Sequence, residues 1–296
     1  NIKYYFEKAK ERLNEKLHPD LIKGVRGTSN KEHIVEHLSK GILRAKHSLY
    51  VNKDGTIRYD CTELPITHFK PKEIKTSIKK LKELGYQKDI FGKDLNDENQ
   101  LLEIKPQDVI LPNFDSLDES AGQVISRVAN FIDDLLIKFY HLPSYYNIQK
   151  EEDLVGHLII GLAPHISAGL VGRIIGFSET QGLLCHPMYH AGMRRDCDGD
   201  EACVMLLMDA LLNFSRQYLP EKRGAKTMDA PLVLTSTLNP KEIDDQVHGI
   251  DVVWRYPLEL YEAALEMKAP WEVRYGEEKK KVEQLGDRLG TSLQYE

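Results

Sequence analysis

Asp196-Cys197-Asp198-Gly199-Asp200-Glu201 is a dense run of charge set between two segments apolar enough to be core. Upstream lies a glycine-punctuated apolar stretch from His157 to Phe177; downstream, Cys203 to Leu212 is apolar at every position except Asp209. The string is therefore a loop at the edge of a packed interior. A solvated surface loop is the ordinary reading of such a string, but unpaired carboxylates held against core elements are costly without a cation. Alternating carboxylates on a tight loop can turn their oxygens toward one point. That is the donor set a hard cation such as Mg²⁺ takes, and Mg²⁺ usually arrives with substrate phosphates. Gly199 admits a backbone geometry that a residue with a Cβ resists. The pattern points to metal-assisted phosphoryl or nucleotidyl transfer. A calcium EF-hand needs Gly at position six and Glu at position twelve. Counted from Asp196, those positions hold Glu201 and Leu207, which excludes it.

The 296 residues are 41% hydrophobic and 29% charged, a globular balance that excludes wholesale disorder. The net charge of −6 excludes a global polycationic signature, so any nucleic acid must meet a local basic face. The cysteines, at 61, 185, 197 and 203, show no C-x-x-C spacing and fit free thiols in a reducing compartment. No apolar run is long enough for a membrane span and no signal peptide is expected, so a cytoplasmic setting without membrane contact is the expectation. The chain opens on Asn1 within a charged helical pattern, and is expected to be a piece of a longer protein.

Local patterns predict the elements. Residues 1–17 form a charged amphipathic helix, and 33–50 a helix followed by an extended segment. Asn52-Lys53-Asp54-Gly55 is a hairpin turn between strands at 48–51 and 56–59. Pro71 opens a helix that ends at Gly85. A short strand is predicted over 108–111 and an apolar-striped helix over 121–140. From Leu154 onward, glycines interrupt short apolar runs, the mark of tight strands and close backbone approach. After the acidic loop come a helix over 202–218, a strand over 229–235, another within 247–256 and a helical stretch over 277–289. Three regions are expected: residues 1–150 as a mixed α/β region bracing a barrel, 151–275 as the barrel core with its metal loop, and 276–296 as a charged helical tail.

Arg194 and Arg195 adjoin the carboxylates. Charge compensation is one reading; contact with a triphosphate or nucleic-acid backbone is the other, since a guanidinium pairs bidentately with either partner. Arg173, Lys222, Arg223 and Lys226 are further backbone-contact candidates. Cys185-His186-Pro187-Met188-Tyr189-His190 contains zinc-binding residue types but no fourth ligand, so zinc is not expected. His190 is close enough in sequence to approach the metal loop and is a further phosphate- or DNA-binding candidate. Cys197 and Cys203 read as core thiols, because Mg²⁺ does not favour sulfur. Lys40 to His47 is a basic cluster at helical spacing, and Thr67-His68-Phe69-Lys70-Pro71 a loop carrying a His; neither alone indicates a function. There is no Walker A string, no G-x-S-x-G and no G-x-G-x-x-G.

The acidic string looks like the metal loop of multisubunit RNA polymerases. Longer segments resemble the large subunit of the archaeal D-family DNA polymerase. They include Lys40 to His47, Lys53 to Arg58, Thr67 to Pro71, Gln107 to Leu111, Gly156 to His165, Val171 to Gly176, Asp209 to Ser215 and Met228 to Val233. The resemblance runs from about Leu17 to Leu289. It implies an α+β fold built on a double-psi β-barrel, with helical insertions and flanking helices. It implies two-metal nucleotidyl transfer from a dNTP to a primer 3′-hydroxyl on a DNA primer-template, with Mg²⁺, or Mn²⁺ in its place, at Asp196, Asp198 and Asp200. It also implies a small partner subunit bearing the 3′–5′ exonuclease, a sliding clamp contacted through parts outside this chain, a nucleoid location, and a second barrel elsewhere. The isolated segment is then expected to be inactive. Three positions depart from the family: Asp196 replaces a usual Asn, Met193 a usual basic residue and Ala202 a usual acidic one. An RNA-polymerase-type segment and a catalytically silent scaffold for DNA or subunit binding are the alternatives.

Overall fold

Strands near the middle of the chain close on themselves. In the computed structural model, the residues described are 1–16, 22, 36–52, 54–114, 118–164, 166, 168–214 and 232–289. Among them the strands are β1 (Tyr59–Pro65), β2 (His68–Phe69), β3 (Leu102–Glu103), β4 (Asp108–Pro112), β5 (Leu158–Leu162), β6 (Ala168–Ser178), β7 (Leu183–Cys185), β8 (Glu201–Leu206) and β9 (Val233–Thr235). Six of them pair in the order β4-β7-β1-β8-β5-β6, and a β4–β6 pairing completes a closed barrel. The barrel is mixed: β1–β7 and β4–β6 run parallel, the other four seams antiparallel. Its strands β1 and β4 precede residue 150 and the other four follow it, so the barrel draws on both sides of that position. Strand β9 adds to the start of β6, and β2 with β3 forms a separate two-stranded ribbon. The fold is thus α+β around a barrel.

The helices are α1 (Ile2–Leu13), α2 (Leu38–Lys46), α3 (Ile78–Glu83), α4 (Ala121–Asp134), α5 (Pro187–Gly192), α6 (Leu207–Asn213), α7 (Asp245–His248) and α8 (Leu258–Leu265). Ser120 caps α4 through a reciprocal bond with Gln123. The helix buries Ile125, Val128, Phe131 and Ile132 completely, each adding about 1.5–3 kcal/mol of transfer free energy. It continues as wider π-turns to Tyr140 and stops at left-handed His141. No helix among the described residues is long and apolar enough to cross a membrane.

The strand β8 corrects the helix expected from residue 202. Ala202, Val204 and Leu206 pack into the main core, while Cys203 and Met205 pack into a second core with Ile160 and Leu162. That alternation has period two. Only from Leu207 does the chain turn helical, as α6. Four other expectations also change. The helix expected from Pro71 is a 3₁₀ turn over Pro71–Ile74, broken at left-handed Lys75 and followed by the separate α3. The Asn52 turn exists, with Thr56 O accepting the Asn52 N–H at 2.9 Å, but residues 48–51 form no strand beside it. Residues 247–256 hold the end of α7 and a single bridge at Asp251 instead of a strand. The stretch from Glu277 is pinned to Ile250, Asp251 and Val252, and its helical part is one 3₁₀ turn, Leu285–Arg288.

The basic cluster at Lys40 to His47 is committed internally. Lys40 Nζ donates to Leu212 O at the end of α6 and to Asn213 Oδ1. Arg44, 2% exposed, makes a two-pronged pair with Glu36 and donates to Gly55 O. Lys46 and His47 both reach Asp134. Asp209, wholly buried at the start of α6, accepts the Ile57 N–H at 2.6 Å and the Asn213 side-chain amide at 2.8 Å.

Candidate active site: an acidic loop held from beneath

The acidic loop joins α5 to β8. Three of its residues take left-handed backbone angles: Arg194 at φ 63°, Cys197 at 58° and Gly199 at 99°. Such angles within six positions fold the chain into a tight reversal, and glycine adopts them without strain. Helix α5 is started by His186, whose Nδ1 accepts the Met188 N–H, and by Pro187 at its first turn. Its Tyr189 plugs the space over two close-packed strands. The Tyr189 hydroxyl donates to Leu170 O at 2.9 Å and accepts the Gly161 N–H at 3.1 Å. A Cβ on Gly161 or Gly172 would lie within 2.7 Å of that hydroxyl. Glycine at both positions lets the barrel wall receive the ring.

Asp196 and Asp198 are exposed and Asp200 is half-buried. Arg195 Nη1 lies 3.2 Å from Asp200 Oδ2 and donates to it. Arg194 is exposed. The Cys197 thiol donates to Pro187 O at 3.6 Å. Burial, Glu63 and the flanking aspartates push it up to about 12, so it stays a protonated thiol. Cys203, on β8, is likewise pushed up, to about 11, chiefly by burial. Neither is a thiolate nucleophile near neutral pH.

His190 is not on the surface. It is fully buried, with Nδ1 2.8 Å from Oε2 of Glu63, itself fully buried on β1. The angle of that contact lies outside hydrogen-bond geometry, and His190 Nε2 has no partner among the described residues. Glu63 also reaches the loop: its Oε1 accepts the Gly199 N–H at 3.2 Å, and its N–H donates to Asp200 O at 2.9 Å. His186 is held neutral well below its ordinary range, to about 3, by burial and the neighbouring His190 and His68. Arg173 stands on the barrel wall, where it makes a two-pronged pair with Asp108 and donates to Leu84 O. Lys222, Arg223 and Lys226 lie outside the described residues. Met193 and Ala202 are both core residues with no exposed surface.

Beside the loop, Arg195, Asp196 and Asp198 share a cleft of about 370 Å³ with Asp244, Gln246, Val247 and Ile250. The wall from α7 had no signal in the sequence. Glu63 had none either, being 136 positions from its loop partner. Three carboxylates on one exposed loop are the hard oxygen donors that Mg²⁺ takes. Their arrangement is open: Asp200 is engaged by Arg195, and no group of three or more His, Cys, Asp or Glu among the described residues is gathered as a metal site.

Fold and loop together define a barrel domain that presents carboxylates on a loop braced from its interior. The chain belongs to the family described as DNA polymerase II large subunit DP2, catalytic domain, whose sequence profile matches residues 14–296. It is 54% identical over 289 residues to the DNA polymerase II large subunit of Archaeoglobus fulgidus, covering 98% of this chain and 24% of that protein. It is 57% identical over 276 residues to the subunit of the same name from Pyrococcus furiosus, covering 93% and 21%. For Nanoarchaeum equitans the identity is 56% over 272 residues, covering 88% and 22%. The chain thus spans about a quarter of the length of the curated relatives it matches.

Proposed function

We propose that this chain is the carboxylate-bearing segment of a DNA-directed DNA polymerase that transfers a nucleotidyl group from a dNTP to a primer 3′-hydroxyl. The observation that carries the reading is the acidic loop, folded tightly over a buried Glu63–His190 pair with Asp196 and Asp198 turned to solvent. Membership of the family, and the name its relatives bear, support it. On this reading the barrel is of the double-psi type, and a second barrel outside the chain supplies the basic residues that face it. The partners are a primer-template, a small subunit with the 3′–5′ exonuclease, and a sliding clamp met through other parts of the protein, all at the nucleoid.

Asp196, Asp198 and Asp200 would hold Mg²⁺, or Mn²⁺ in its place. The chemistry such cations supply when bound is charge neutralisation at phosphates and a lowered pKa at an attacking hydroxyl. The protein's own part is positioning. Asp196 and Asp198 stand free of ion pairs among the described residues, ready to take donor roles without first breaking a contact. Arg195 compensates Asp200 and becomes available to a phosphate when Asp200 turns to another partner. Arg194, exposed beside it, offers a second planar fork. Lys222, Arg223 and Lys226 are proposed as backbone contacts on their charge alone. Arg173 is committed to Asp108 and serves the barrel wall.

The engagement of Asp200 by Arg195 favours a second reading, a silent scaffold that binds DNA or a subunit. Calorimetric titration with Mn²⁺ separates the two. The polymerase reading expects binding that Asp198→Ala removes; a scaffold expects no Asp198-dependent binding.

A further inference from the structure

Glu63 is a carboxylate with no exposed surface, and among the described residues its side chain meets the acidic loop and its supports and nothing else. One oxygen accepts the Gly199 N–H at 3.2 Å, and the other lies 2.8 Å from His190 Nδ1. Its backbone N–H holds Asp200 O at 2.9 Å. His190 grips the other end, its carbonyl accepting the Arg195 N–H at 3.1 Å. One buried pair therefore touches the loop at its entry, its middle and its exit. Gly199, left-handed at φ 99°, is where the chain reverses between Asp198 and Asp200. Fixing its N–H fixes the relative direction of those two side chains.

A buried carboxylate–imidazole pair does little for stability, because removing both groups from water offsets their attraction. Apolar side chains of similar volume would fill the site at least as well, so what this pair contributes is position. We propose that Glu63, backed by His190, is the positioning residue of the acidic loop. It touches neither substrate nor reacting atoms; it sets the turn from which Asp198 and Asp200 project. The effect on catalysis rests on the polymerase reading, whereas the effect on the loop does not.

The test uses the complete two-subunit polymerase carrying this segment, with Glu63→Met and Glu63→Gln. Met keeps the volume and offers the Gly199 N–H no oxygen; Gln keeps an oxygen and loses the charge. Amide exchange is followed in the peptide 194–201, together with the Mg²⁺ dependence of primer extension. In Glu63→Met we expect exchange and the Mg²⁺ concentration for half-maximal extension each to rise about tenfold, the scale of one lost hydrogen bond to a charged acceptor. In Glu63→Gln exchange should stay within about threefold of wild type, because a neutral acceptor is retained. Unchanged exchange in Glu63→Met overturns the proposal and leaves the polymerase reading standing. Undiminished extension by Asp198→Ala overturns the polymerase reading and leaves the exchange result to decide the role of Glu63. If Glu63→Met does not assemble, the wild-type complex decides: Gly199 exchanging as fast as an unprotected loop amide overturns the proposal, and protection supports it.

Discussion

Arg195 reaches across the acidic loop to Asp200, its Nη1 3.2 Å from Oδ2, so the loop's third carboxylate carries its own internal cation. On the proposed reading Arg195 and a divalent ion would compete for that oxygen. A pair this exposed is worth up to about 1 kcal/mol. We expect Arg195→Gln to tighten Mn²⁺ binding by roughly two- to fivefold in a calorimetric titration, with little change in melting temperature. Weaker binding would show that Arg195 organises the carboxylates instead of competing for one.

Two kinds of glycine should separate on substitution. At Gly172 a Cβ would sit 2.6 Å from the hydroxyl of Tyr189, a ring with no exposed surface. Gly172→Ala should destabilise by about 1–3 kcal/mol, as overpacking does. At Gly199 nothing lies within 4 Å of a built Cβ, and the cost is only that of a left-handed alanine, about 1 kcal/mol. Denaturant melts of the two variants check the order. Gly199→Ala should lose Mn²⁺ binding more than stability.

Buried Asp209 gives the fold a pH dependence of unusual sign. Burial pushes its carboxyl up to about 6, against the Ile57 and Asn213 hydrogen bonds that hold it down. A carboxyl whose pKa is raised on folding adds stability that is fully present below its ordinary value of 3.8 and is lost as pH rises through about 6. The loss is on the order of 3 kcal/mol between those limits. Asp134 acts the other way. Partial burial pushes its carboxyl up, but hydrogen bonds from His47, Lys46 and Lys138 outweigh this and hold it below the carboxylate range. Its contribution is therefore present above about pH 4 and fades on acidification. In melts from pH 4 to 7 the stability of wild type should fall relative to that of Asp209→Asn as pH rises, since Asn carries no titratable group. Parallel profiles would contradict the assignment.

What could be read from the chain followed the strength of local signals. The helix over 121–140 was legible because its apolar stripe keeps a helical period, and β4 because it is a short apolar run. Strand β8 was misread because both its faces are buried, so its period of two vanishes into a continuous apolar run. The acidic loop was legible because its chemistry is contiguous. Glu63 was not, since only the pairing of β1 with β8 brings it under Gly199. The loop with which the chain announces itself is therefore half of a local device; the other half comes from a strand that carries no motif.

The central proposal is that Asp198 and Asp200 carry nucleotidyl transfer, and primer extension by the complete polymerase carrying this segment tests it most directly. Asp198→Ala and Asp200→Ala should each lower extension at least about a hundredfold, the scale on which one preorganised charge-stabilising group acts. Duplex affinity at fixed salt should stay within about threefold, because phosphate contacts made elsewhere dominate it. Extension at the wild-type rate by either variant would contradict the account.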